Sequence, residues 1–304
     1  MAVAGRGGRP VTAIAGHAPA RCRAFVTAVF APRVHVTYGV LWAFAYEATA
    51  AGEPWRPTAS SVIRAATLIA MLLFLRLVDE RMDEPYDRVH NPDRPLVTGL
   101  VTVTELRRAG WVVAALVIAA NAPLAPWSAV VAAALFGYAE LLARLVLRFP
   151  ALRDRPLAYL TVAYPVQLAA GLYLYASTVG TALVRAGLRP ALLVLVFATA
   201  FLHFEFARKT VRRPAPGSRM YSATRLGPTG SAVVTLCWAL LSCAVLAAVT
   251  RPRDASLVPY LSLVFPVFGA GAYLSGRTGA WPKATAMLFL VVLYAALILG
   301  GVLA

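Results

Sequence analysis

Acidic side chains are concentrated in one short stretch of this chain of 304 residues. Six of its thirteen aspartates and glutamates lie within fifteen residues, at Asp79, Glu80, Asp83, Glu84, Asp87 and Asp93. Acids at i, i+4 spacing repel one another and are costly beside hydrocarbon, so this cluster requires a positively charged partner. Carboxylate oxygens are ligands that Mg²⁺ prefers, and bound Mg²⁺ commonly bridges to phosphates. The cluster therefore predicts a magnesium site that holds an anionic ligand.

The residues around the acids predict how the anion is held. Asp79, Asp83 and Asp87 recur every four residues and would share one helical face. Pro85 predicts that the helix ends just before it and that the chain turns back toward the site, because proline disfavours helical geometry at the preceding residue. The segment Arg88–Gly99 is a basic loop whose arginines can bind phosphate oxygens in pairs. A solvated acidic cap on a membrane helix is the alternative interpretation.

The elements that position these groups are apolar. Hydrophobic residues make up 60% of the sequence, and only 14% of the residues are charged. Apolar runs of about 20 residues, separated by Pro, Gly and Arg, match the length that crosses a bilayer. We predict an all-α polytopic membrane protein with nine transmembrane helices, near residues 34–51, 60–78, 106–123, 127–147, 157–177, 190–208, 230–249, 257–275 and 283–303.

The distribution of basic residues predicts the orientation. The net charge is +16, and most Lys and Arg lie in the amino-terminal segment and in alternate connections. The positive-inside rule places the amino terminus and the active-site loops in the cytoplasm, with the carboxyl terminus outside. The Ala, Arg and Val bias indicates a bacterial cytoplasmic membrane. No nucleic-acid partner is expected, because the basic residues do not form one soluble face with aromatic platforms.

The sequence predicts one folded domain. Residues 1–30 are rich in Ala, Gly and Arg and contain no acid, so we expect a flexible basic arm. Gly and Pro interrupt this segment, which therefore lacks the apolar stretch of a secretory signal. Residues 31–304 are expected to form a single nine-helix transmembrane domain. The three cysteines have no metal-ligand spacing and are interpreted as packing residues or free thiols.

The acidic cluster and the loop after it resemble the first signature of the UbiA-type intramembrane prenyltransferases. That signature reads Asn-Asp-x-x-Asp-x-x-x-Asp, then Arg, then Pro-x-Arg-Pro-Leu-x-x-Gly. This chain has Asp79, Asp83, Asp87 and Arg88 in register, and residues 92–99 read Pro-Asp-Arg-Pro-Leu-Val-Thr-Gly. The resemblance implies a bundle of nine helices around a central cavity, with acidic motifs after the second and sixth helices on the cytoplasmic side.

The second family signature, Asp-x-x-x-Asp near the end of helix six, is altered in this chain. Glu205 stands at the first acidic position, and Lys209 stands at the second. Lysine cannot bind a metal ion, but its charge can neutralise pyrophosphate where a second metal site would otherwise lie. A structural Glu205–Lys209 pair that contacts no ligand is the alternative.

The resemblance implies roles for particular residues. The expected catalytic residues are Asp79, Asp83, Asp87, Glu205 and Lys209. The expected ligands of Mg²⁺ are Asp79, Glu80, Asp83, Asp87 and Glu205. The side chains expected to bind the substrate diphosphate are Arg88, Arg94, Arg144, Arg208, Lys209 and Arg213. Glu140, on the same predicted span as Arg144, is expected to face either a partner or a cavity.

The function that the resemblance implies is Mg²⁺-dependent transfer of a prenyl group. An isoprenyl diphosphate would be ionised among the membrane helices, and an aromatic or lipid-pathway acceptor would capture the prenyl cation. A UbiA-type terpene cyclase, which acts on farnesyl or geranylgeranyl diphosphate without an acceptor, is the first alternative. An ion-coupled transporter is a remote alternative, because its acids would lie near the bilayer midplane on broken helices. The sequence determines neither the prenyl chain length nor the acceptor.

Overall fold

The computed structural model describes residues 18–51, 54–215, 217–250 and 257–303. Within these ranges the chain is helical, and its one β-bridge joins Val211 to Ala280. The helices are α1 (Ala18–Val29), α2 (Pro32–Ala51), α3 (Ala59–His90), α4 (Val103–Asn121), α5 (Pro126–Arg148), α6 (Pro156–Ala163), α7 (Pro165–Gly180), α8 (Leu188–Arg208), α9 (Gly227–Val249), α10 (Val264–Leu274) and α11 (Lys283–Leu303). The predicted all-α class is confirmed for the described residues.

Six helical segments in the described part are long and apolar enough to cross a membrane. They are α3, α5, the α6–α7 pair, α8, α9 and α11. Helices α1 and α2 pass the same test together but are bent by 66° at the break between them, and the segment Val258–Leu274 is shorter. The chain is therefore an integral membrane protein. Each predicted span overlaps a helical segment, but the number of nine crossings is not confirmed.

The predicted flexible arm, residues 1–30, lies only partly within the described residues. Residues 1–17 are outside them, and Ala18–Val29 form α1. Phe25 and Val29 of this helix are buried against apolar residues of α3 and α4. The edge of the helical bundle therefore lies before residue 30.

The predicted helix end before Pro85 is wrong. Helix α3 continues through Pro85 to His90, and the Asn91 backbone amide closes the last turn by donating to the Asp87 carbonyl. Proline removes one amide donor, but its fixed φ is compatible with a helix. Packing of α3 against α2, α4 and α5 outweighs that local loss. The three aspartates predicted to share one face therefore belong to a single continuous helix.

A buried ion pair joins the amino-terminal part of α3, at the opposite end from the aspartates, to α2. The Arg64 Nη1 atom lies 2.9 Å from Glu47 Oε1 on α2, and both side chains are almost fully buried. The Arg64 Nε atom donates to Ser177 Oγ on α7 at 2.9 Å. Because both charges are paired and hydrogen-bonded, the pair satisfies the requirements for burial.

Two adjacent glycines of α11 differ in what surrounds them. A Cβ atom on Gly301 would lie 2.7 Å from the backbone oxygen of Ala48 on α2, whereas a Cβ atom on Gly300 would meet nothing within 4 Å. We expect Gly301→Ala to destabilise the protein by about 1–3 kcal/mol, because backbone atoms cannot rotate away. Gly300→Ala is the matched control and should be neutral or stabilising. Thermal unfolding in detergent measures the difference, and equal melting temperatures would contradict it.

Candidate functional site

A cavity of about 460 Å³ lies between α3, α5, α6, α7, α8 and the loop that follows α8. Its charged residues lie in the carboxyl-terminal halves of α3 and α8 and in the connections after α3, α5 and α8, and its apolar residues include Leu75 and Phe201, which come earlier in α3 and α8. Four carboxylates and six basic side chains line it, and they are Arg76, Asp79, Asp83, Asp87, Arg94, Arg153, Glu205, Arg208, Lys209 and Arg219. Basic groups outnumber acidic groups, so the charged end favours an anion.

Asp83 binds two arginines from distant parts of the chain. Its Oδ1 atom lies 2.8 Å from Arg153 Nη2 and 3.4 Å from Arg219 Nη1. Arg153 belongs to the α5–α6 connection, whereas Arg219 belongs to the loop between α8 and α9 and lies over the Tyr86 ring, 4.2 Å from its centroid. Neither arginine was predicted. Two connections are thereby joined to α3 at the charged end of the cavity.

Asp87 and the segment after α3 form a second group. The Asn91 side-chain amide donates to Asp87 Oδ1 at 2.6 Å. Arg94 Nε lies 3.7 Å from Asp87 Oδ2, and Arg94 Nη1 lies 3.4 Å from Glu80 Oε1. The basic loop therefore does fold back onto α3, but the reversal begins at Asn91 and not at Pro85.

Asp79 differs from the other acids of the cavity. Among the described residues its carboxylate makes neither an ion pair nor a hydrogen bond, although it lines the cavity. A carboxylate among membrane helices needs a cationic partner. Mg²⁺ is commonly held by one or two carboxylates together with substrate phosphates. The carboxylates of Asp79 and the neighbouring Asp83 therefore have the donor chemistry that a divalent cation requires.

The set of five metal ligands that the sequence predicted, Asp79, Glu80, Asp83, Asp87 and Glu205, stays a prediction. No group of three or more His, Cys, Asp or Glu side chains in the described ranges is placed to hold a metal ion. Asp83 and Asp87 already face basic side chains.

Glu205 is surrounded by donors. Its carboxylate lies 2.5 Å from Arg208 Nε and 2.8 Å from Lys209 Nζ, and it accepts a hydrogen bond of 3.2 Å from the Tyr221 hydroxyl. Tyr221 lies in the loop outside the membrane-spanning helices, where burial and the nearby Glu205 charge raise the pKa of its phenol. The phenol therefore stays protonated and donates. A carboxylate that already accepts from three donors does not fit the role of metal ligand.

Comparison with known proteins identifies the type of fold. No protein-family model matches the sequence, and it has no significant match among curated proteins. The apo structure of a UbiA homolog from Aeropyrum pernix K1 superposes with a TM-score of 0.58 at 18% identity, over 88% of this chain and 97% of that chain. The structure of a digeranylgeranylglyceryl phosphate synthase in membranes gives a TM-score of 0.60 at 11% identity, over 94% and 100% of the two chains. The chain has the UbiA-type fold. The predicted resemblance is confirmed at this level.

Within the UbiA-type bundle, several predicted site residues lie away from the cavity. Arg88 pairs with Glu84, and Arg144 and Arg213 are exposed. Glu80 lies on a neighbouring face of α3. It forms ion pairs there with Arg76, at 2.5 Å, and with Arg94 of the following loop. The helix continues past Pro85, so the residues next to the aspartates project to other sides. We therefore leave these four residues out of the proposed site.

An ion pair with helix α3 explains why Glu140, an acid on an apolar helix, can be buried. Arg81 Nη2 lies 2.5 Å from Glu140 Oε1 on α5, and both side chains are buried. Glu140 therefore faces a partner and not the cavity.

Proposed function

We propose that this protein is an intramembrane prenyltransferase that acts on an isoprenyl diphosphate. The observation that supports it is one cavity with a basic end and an apolar inner part. An excess of basic groups complements a diphosphate, and apolar walls formed by residues such as Leu75, Leu142 and Phe201 suit a prenyl chain. The UbiA-type fold and the named synthase among its structural neighbours agree with this assignment.

The diphosphate would be bound by basic side chains that now pair with acids. Arg153 and Arg219 would turn from Asp83 toward phosphate oxygens, and Lys209 would turn from Glu205. Arginine is suited to this exchange because its planar fork matches both carboxylate and phosphate. We place this end on the cytoplasmic side of a bacterial membrane, following the positive-inside rule.

Asp79 and Asp83 would hold Mg²⁺ against the same diphosphate. When bound, the metal ion supplies positive charge to the leaving group. Glu205 is left out of the proposed metal site because both of its oxygens pair with basic side chains, whereas the two ion pairs of Asp83 both involve Oδ1.

The reaction begins when the bond between C1 of the prenyl group and the diphosphate oxygen breaks. The electron pair of that bond leaves with the diphosphate, and the arginines that bind it stabilise the charge that develops there. The allylic cation remains between apolar walls, where little water is available to quench it. An electron-rich aromatic or lipid-pathway acceptor then donates an electron pair to C1 and loses a proton.

Product analysis tests this proposal. Purified protein in detergent is incubated with Mg²⁺ and geranyl, farnesyl or geranylgeranyl diphosphate, with and without a panel of phenolic acceptors. We expect pyrophosphate and a prenylated adduct only when an acceptor is present, and neither with the Asp83→Ala variant. A cyclic hydrocarbon or terpene alcohol formed without an acceptor would replace the transferase with a terpene cyclase. No turnover of any donor would contradict the proposal.

A further inference from the structure

The segment of residues 91–101, which joins α3 to α4, carries Arg94 but forms no regular helix or strand. Four backbone hydrogen bonds lie within this segment, and all of them join residues that are close in sequence. The Arg94 side chain is one of the six basic groups that line the cavity. Local turns open more readily than packed helices. The position of Arg94 therefore depends on contacts between the segment and the rest of the protein.

Helix α1 makes such contacts where the segment meets α4. The Arg21 Nε atom donates to the Leu100 carbonyl at 3.0 Å, and its Nη2 atom donates to the two carboxylate oxygens of Glu105 at 3.0 and 3.1 Å. Glu105 forms the capping box that begins α4, together with Thr102. A planar guanidinium suits several directed contacts of this kind. Arg21 thus joins α1 both to the segment and to the first turn of α4.

Apolar side chains of α1 pack against the same segment. Phe25 and Val29 are buried in one cluster with Val101, and Leu96 packs against that cluster. Removal of these side chains from water stabilises the contact between α1 and the segment. Helix α1 therefore holds the segment by packing as well as by the hydrogen bonds of Arg21.

A chain of polar contacts also leads from the end of α1 to Arg94. The Val29 carbonyl accepts from Arg76 Nε at 2.9 Å, which satisfies one of the carbonyls that a helix end leaves free. Arg76 Nη2 lies 2.5 Å from Glu80 Oε1, and Arg94 Nη1 lies 3.4 Å from the same oxygen. Helix α1 is thus connected to Arg94 by two routes, one through the segment and one through Arg76 and Glu80.

We propose that Arg21 is a positioning residue for Arg94. By joining α1 to the segment, it keeps the Arg94 guanidinium at the charged end of the cavity. Arg21 itself lies outside the cavity lining, so it acts through the segment and does not touch the anion. This inference depends on the proposed function in one respect, because the anion that Arg94 would bind is the diphosphate.

Hydrogen–deuterium exchange of the full chain in detergent tests the contact between α1 and the segment. The amides of Thr98 and Val101 donate within the segment. In Arg21→Ala they should exchange about 3- to 10-fold faster, because the lost hydrogen bonds make local opening easier. Arg23→Ala changes an exposed arginine of the same helix and should exchange like the wild type. Unchanged exchange of α8 shows that the variants are folded.

A second variant keeps this test decisive if Arg21→Ala does not fold. Arg21→Lys keeps the positive charge but lacks the planar fork, so the two amides should exchange at a rate between those of the wild type and a variant without the contact. Wild-type exchange of the segment in both Arg21 variants would overturn the inference.

Pyrophosphate affinity, measured by calorimetry in the presence of EDTA, separates positioning from a general effect on stability. We expect Arg94→Met to weaken binding by about 10-fold or more and Arg21→Ala to weaken it by about threefold. Because Arg21 acts through Arg94, adding Arg21→Ala to Arg94→Met should cause no further loss. A full additive loss would overturn the positioning role. If the wild type bound no pyrophosphate, the proposed function would be rejected, and the exchange rates alone would decide whether Arg21 holds the segment.

Discussion

Asp79→Asn is expected to lower the rate of pyrophosphate release by about 100-fold or more, the usual cost of removing one group that stabilises developing charge. Asp79 is the cavity carboxylate without an ionic partner among the described residues. The amide keeps the shape of the side chain and removes the negative charge that would hold Mg²⁺ against the diphosphate. Steady-state pyrophosphate release at several Mg²⁺ concentrations measures the effect.

The control for this variant lies on the same helix. Glu84 pairs with Arg88 and does not line the cavity, so Glu84→Gln makes the same chemical change outside the site. We expect it to retain the wild-type rate. If Asp79→Asn stayed within twofold of the wild type, Asp79 would have no role in holding the metal ion or the diphosphate.

Lys209→Met is expected to weaken pyrophosphate binding in the presence of EDTA by about 10–100-fold, since hydrogen bonds to charged groups contribute about 1.5–3 kcal/mol. Lys209 lies 2.8 Å from Glu205 and lines the cavity. Its charge would bind a phosphate oxygen directly, without a metal ion. Calorimetry on the purified protein measures this affinity, and Arg213→Met, which changes an exposed neighbour outside the cavity, should leave it unchanged.

The Glu205→Gln variant distinguishes two roles for this pair: direct binding of phosphate by Lys209, and binding of a metal ion by Glu205. Glu205 forms ion pairs with Arg208 and Lys209. Removing its charge should leave both basic side chains available to phosphate, so metal-free pyrophosphate binding should become tighter. If Glu205 were a metal ligand, the same variant would leave metal-free binding unchanged and would weaken binding in the presence of Mg²⁺. The second result, or equal affinity of Lys209→Met and wild type, would reject the direct role of Lys209.

The parts of the fold and site that follow from local spacing were predictable. Apolar runs gave the helical segments, and the four-residue repeat gave the shared face of the aspartates on α3. The end of α3 was not predictable in this way. The preference of Pro85 is a local effect, whereas the continuation to His90 depends on neighbouring helices that one segment does not reveal.

The ion-pair partners of the aspartates also could not be predicted from local spacing in the sequence. Arg219 lies 136 residues after Asp83, and no periodicity connects two positions so far apart. Its location in a basic connection was the one available signal, and many other arginines share that signal.

The acids that pair with the basic residues of the cavity also compete with any incoming anion for those residues. Asp83, Asp87 and Glu205 hold Arg153, Arg94 and Lys209, so an incoming anion has to displace carboxylates before it can bind. A monophosphate can replace few of these contacts, whereas a diphosphate reaches several basic groups at once. Under the proposed function, the returning carboxylates would also favour departure of pyrophosphate after transfer. The protein would thereby discriminate by the number of charges on the head group, independently of the length of the prenyl tail.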